Sequence, residues 1–123
     1  MSIHDYMIGE RNGGAGSTVI YTNGSGADEV FCVYDCAMTI TASHDVAAST
    51  FVRGHLTVDA TDVMAILLFL RGIGAGFISS ELNIRGKQFR LPNAGTVKIT
   101  HDGGATFNAT NIHMVFDKYL GTP

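Results

Sequence analysis

The stretch Leu56–Ile78, LTVDATDVMAILLFLRGIGAGFI, decides how the rest of the chain is read. Within it, Val63 to Leu70 is eight apolar residues without a break. Asp59, Thr61 and Asp62 stand just before that run, and their side-chain oxygens suit the free N–H groups of a helical first turn. Arg71 follows as a cation suited to a last turn, and Gly72 as a residue able to end a helix. The pattern predicts one α-helix near residues 60–71, apolar on every side and therefore buried. Val63, Ile66, Leu67 and Leu70 are its candidate contact residues. At 1.5 Å per residue such a helix spans about 18 Å, too short for a bilayer core of about 30 Å, so no membrane partner is expected.

Outward from this stretch the chain reads as β-structure. Thr18–Thr22 is β-branched and ends at the turn NGSG; Glu29–Tyr34 is a near-continuous apolar run. Ala37–Thr41 and Thr50–Val58 alternate, with Val52, Leu56 and Val58 on one face. After the helix, Ile78, Leu82 and Ile84 share a face, Gly86–Lys87 is expected as a hairpin turn, and Val97 and Ile99 alternate with Lys98 and Thr100. The last strand carries Ile112, Met114 and Phe116 on one face. The expected fold class is mainly β, a sandwich or barrel of seven to eight short antiparallel strands with one central flanking helix. Residues 1–17, with glycines at 9, 13, 14 and 16, are expected as a flexible arm ahead of a single domain at 18–123. The arm's apolar tip, Ile3, Tyr6, Met7 and Ile8, would reach a neighbouring subunit.

Bulk composition points the same way. Hydrophobic residues make up 46% of the 123 and charged residues 15%, against a usual charged share of about 25%. A small domain so short of charge is expected to cover part of its surface with copies of itself. The start, MSIHDYMIGERNGG, lacks a basic leader and an apolar core, so a chain made and kept in a cytosol is expected. Residues 1–62 carry a net charge of −6 and residues 63–123 one of +3. The split suits subunits meeting acid face on basic face, with a basic hairpin of Arg85, Lys87 and Arg90 as one contact.

Candidate chemistry is sparse. Cys32 and Cys36 stand in C-x3-C spacing, without the second pair a zinc site needs, and are expected as two reduced, mostly buried thiols. The five histidines include His–Asp dipeptides at 4–5, 44–45 and 101–102. Adjacent strand residues point to opposite faces, so no metal, cofactor or catalytic set is assigned. Two alternatives stay open: a small β-barrel enzyme or ligand-binding domain using His44, His101 or His113, and a nucleic-acid-binding barrel using Arg85, Lys87 and Arg90. No specific nucleic-acid readout is expected on a chain of net charge −3.

The order strands, central helix, strands, hairpin over residues 18–119 resembles the tube proteins of tailed-bacteriophage tails. Those are small β-sandwich subunits with one flanking helix that stack head to tail. Small capsid decoration proteins, β-rich with an extended N-terminal arm, are a second resemblance. Either implies a non-catalytic virion structural subunit whose partners are copies of itself, in a ring or lattice, and other virion proteins.

Overall fold

The computed structural model describes residues 2–43, 50–70, 77–103 and 107–120. They form eight strands: β1 (Ser2–Asn12), β2 (Gly16–Thr22), β3 (Glu29–Ser43), β4 (Thr50–Val58), β5 (Thr61–Leu70), β6 (Phe77–Leu91), β7 (Thr96–Gly103) and β8 (Phe107–Leu120). Two four-stranded sheets result, ordered β1-β8-β3-β6 and β2-β7-β4-β5. Every pairing is antiparallel. Successive strands change sheet at each connection except β4 to β5. An eight-stranded double sheet with this order is a jelly roll.

The expected helix at 60–71 is corrected: Thr61–Leu70 of that range is β5, an edge strand. A continuous apolar run reads equally as a buried helix or a strand, and here the residues before it decide. Asp59 takes φ +57 in the two-residue connection between Val58 and Thr61, which pair with each other. Aspartate tolerates that left-handed conformation, so Asp59 turns a hairpin where a helix start was expected. Asp62 binds across the hairpin instead of capping a turn: its Oδ1 accepts from Thr57 Oγ1 at 2.9 Å. Along β5, Met64, Ile66 and Leu68 are buried while Ala65, Leu67 and Phe69 are exposed. The expectation of burial all round is thus corrected to burial of one face.

Two further boundaries differ. Residues 2–12, expected within a flexible arm, form β1, which pairs with β8 from Ser2–Tyr119 to Asn12–Ala109. Its alternation turns Met7 into the core and leaves Tyr6 and Ile8 outside. Gly86–Lys87 makes no hairpin: β6 runs through it as one strand of 15 residues, with Gly86 at φ +67. The expected exit glycines 72, 74 and 76 lie outside the described residues.

The core fills the space between the sheets. Phe31, Met38, Ile40, Ile112 and Met114 from one sheet meet Val52, Leu56, Ile66, Val97 and Ile99 from the other. Phe31 stacks on Phe116 at 4.8 Å between centroids, and Tyr21 meets Phe31 edge-on at 5.6 Å. These contacts join both sheets into one core.

Candidate assembly surfaces

The outer face of the β4–β5 hairpin carries an apolar patch. The ladder sets Phe51 opposite Phe69, Arg53 opposite Leu67 and His55 opposite Ala65. Leu67 is 50% exposed and Phe69 62%, and Phe51 is exposed beside them. Directly opposed side chains in an antiparallel ladder have Cβ atoms about 4.5–5.5 Å apart, so Phe51 and Phe69 are neighbours, and Leu67 lies two residues from Phe69 on the same face of β5. A polar network bounds the patch. Arg53 Nη2 donates to Asp62 Oδ2 at 3.0 Å, and His55 Nδ1 lies 2.9 Å from Asp62 Oδ1. The bond from His55, then that from Thr57, holds the Asp62 carboxyl below the usual carboxylate range. His55 Nε2 lies 3.4 Å from Asp102 Oδ2.

The outer face of the other sheet carries a second set. Tyr6 and Ile8 are exposed on β1, and the Tyr6 ring meets His113 edge-on at 6.1 Å. Beside them Asp117 accepts from Tyr34 Oη at 2.6 Å and lies 2.9 Å from His4 Nδ1. The bond from Tyr34, then that from His4, lowers the Asp117 carboxyl, and the same contact raises the Tyr34 hydroxyl.

Of the expected arm contacts, Ile3, Tyr6 and Ile8 are exposed, whereas Met7 belongs to the core. Of the expected helix contacts, Leu67 is exposed, Val63 half-buried and Ile66 buried; the Leu70 side chain and His44 lie outside the described residues. The basic trio is spread along β6. Both Arg90 Nε and Nη2 donate to Asp28 Oδ2, at 3.1 and 3.0 Å, while Arg85 lies 3.6 Å from Asp35 and Lys87 is exposed. Lys118 Nζ lies 3.0 Å from the buried Glu29. Three acids of the first half, Asp28, Glu29 and Asp35, thus meet three bases of the second within one chain. Phe51 and Phe69 escaped the sequence reading. Pairing Thr50–Val58 with the run after Asp59 as a hairpin would have set them face to face.

The titratable groups of the interior are occupied by structure. His101 is buried, with Nδ1 3.3 Å from the Gly13 carbonyl and Nε2 2.6 Å from Thr110 Oγ1. Burial, partly offset by the Gly13 bond, lowers its pKa. His113 stands on the outer face of the opposite sheet, so the two described histidines of the enzyme alternative do not converge. Cys32 and Cys36 are free thiols, as expected; Cys36 Sγ donates to Met64 Sδ at 3.4 Å, and burial pushes it up to about 12. Among the described residues no three His, Cys, Asp or Glu side chains gather to hold a metal.

No protein-family model and no curated protein matches the chain. Similar solved structures include one described as the acidic stable capsid of Helicobacter pylori bacteriophage KHP30. It is 10% identical, covers 94% of this chain and 91% of that one, and has a TM-score of 0.47. A chain from sacbrood virus of honeybee is 10% identical over 97% and 73% at a TM-score of 0.41. A Bacillus endospore appendage, described as a disulfide-linked pilus, is 15% identical over 98% and 89% at 0.36. At these identities and TM-scores the likenesses carry no functional argument.

Proposed function

We propose that this chain is a non-catalytic structural subunit that assembles with copies of itself, as a virion component of the coat or decoration type. The observation that supports it is the exposed Phe51–Leu67–Phe69 patch on a sandwich whose core is already complete without it. Clustered exposed apolar side chains on a small domain mark a contact surface. Tyr6 and Ile8 offer a second one on the opposite sheet. Two different faces are what an extended assembly requires, because a single self-complementary contact closes on itself. The jelly roll serves viral coats among other uses, and a fold alone does not assign function, so the surface carries the proposal. A tail-tube role is not retained, since it leaned on a flanking helix and that segment is β5. The enzyme and nucleic-acid alternatives find no support: His101 is sealed in the core and Arg90 is held by Asp28.

Replacing Leu67 and Phe69 together by Ser tests the proposal. Both side chains are at least half exposed. The expected result is a folded protein of reduced assembly mass in sedimentation. An unchanged assembly mass would remove the patch from the account.

A further inference from the structure

β6 ends the sheet β1-β8-β3-β6: β3 pairs with one side, and no strand among the described residues pairs with the other. An open row of N–H and C=O groups is a template for another strand. From Ser79 to Arg85 the side chains alternate, with Ser79, Glu81, Asn83 and Arg85 exposed and Leu82 and Ile84 half-buried against the core. Glu81 accepts a bond from Asn83 Nδ2 at 3.2 Å and has no cation within ion-pair distance among the described residues. Arg85 is 81% exposed and reaches Asp35 only at 3.6 Å. An unmatched acid and a loosely held cation thus stand on one face, two residues either side of Asn83.

We propose that two copies of this chain join antiparallel through their β6 edges about a two-fold axis at Asn83, making one eight-stranded sheet across the pair. The proposal rests on the self-assembly reading above and names one of its contacts. With the axis at Asn83, Glu81 faces Arg85 of the second copy and Arg85 faces its Glu81. On the inner face, Leu82 of each copy faces Ile84 of the other. Charge and apolar complementarity arise together in this register alone. An axis at Leu82 sets Glu81 against Asn83 and Arg85 against Ser79. An axis at Arg85 sets that cation against itself. An axis at Ile84 sets Glu81 against Lys87, but it leaves Arg85 against Asn83 and Leu82 against Gly86. A one-residue slip would put the apolar face outside. The contact is isologous and closes, leaving the Phe51–Leu67–Phe69 patch for a different contact.

Three proteins test the register. Glu81→Arg and Arg85→Glu each place like charges opposite in a homodimer, but a one-to-one mixture of the two restores both opposite-charge pairs. Sedimentation should show each variant associating about 10-fold more weakly than the parent, and the mixture recovering to within about 3-fold. If the charges only guard an open edge, the mixture will not recover, and the proposal fails. Asn83→Cys, on an exposed face, should form a dimer-sized disulfide product under mild oxidation well above the parent's, whose half-buried Cys32 sets the baseline. Absence of that product in an assembling protein overturns this register and leaves the self-assembly reading standing. A parent that stays monomeric overturns both.

Discussion

Adjacent residues 66 and 67 give the sharpest contrast in the fold. Ile66 is 7% exposed and packs between the sheets; Leu67 faces outward at 50%. Truncating a buried isoleucine to alanine removes its transfer free energy and leaves a cavity, together about 2–5 kcal/mol. Full burial of a leucine is worth about 1.5–3 kcal/mol, so half-exposed Leu67 has about 1 kcal/mol to lose. For a domain of this size 1 kcal/mol shifts the melting temperature by about 4 °C. Ile66→Ala should therefore melt about 8–20 °C below the parent, and Leu67→Ala no more than about 4 °C below it. The assay is thermal unfolding followed by circular dichroism in dilute protein, where association adds little to stability. A helix apolar on all sides would make the two losses similar. Equal losses, or a larger one at Leu67, would refute the strand assignment of β5 and with it the exposed patch.

Other outcomes follow from the interior. Glu29 is 1% exposed, accepts from Tyr21 Oη at 2.5 Å and pairs with Lys118 at 3.0 Å. Lys118→Met strands that carboxylate and should cost about 3–5 kcal/mol in denaturant unfolding, with Glu29→Gln in the same protein recovering part of the loss. His101 has a folded-state pKa below its ordinary 6.5 because burial disfavours the imidazolium, and Arg11, His55 and Asp102 act on it electrostatically. The unfolded chain therefore binds the extra proton first, and stability should fall as pH drops below about 6.5. His101→Gln should flatten the slope of melting temperature against pH between about 7 and 5, and an unaltered slope would clear His101 of that role. Gly103 sits at φ +118, and a Cβ there would overlap the Phe51 carbonyl and lie 2.9 Å from Val52 Cα. Gly103→Ala should cost more than about 2 kcal/mol by the same unfolding measurement, since backbone cannot yield as a side-chain tip can.

The β-rich class and most strand positions were legible because period-2 alternation reports which face meets the core. Val52, Leu56 and Val58 inward on β4, and Ile112, Met114 and Phe116 inward on β8, illustrate this. The alternation failed where it was hidden. In β5 both faces are apolar, one for the core and one exposed, so no period survives, and Asp59 and Asp62 suit a hairpin as well as a helix start. In β1 the glycines suggested a tether, but Gly9 is a core-facing position where an added Cβ would lie 2.6 Å from Ile20 Cδ1. The charge split was visible, whereas its use was not. Asp28–Arg90 and Glu29–Lys118 join positions 62 and 89 residues apart, which only the sheet order brings together.

Sedimentation equilibrium of the unmodified chain, over roughly 1 to 100 µM at moderate salt, tests self-assembly most directly. The account predicts a mass well above the 13.1 kDa of one chain, rising with concentration. A single species at 13.1 kDa across the whole range would contradict it.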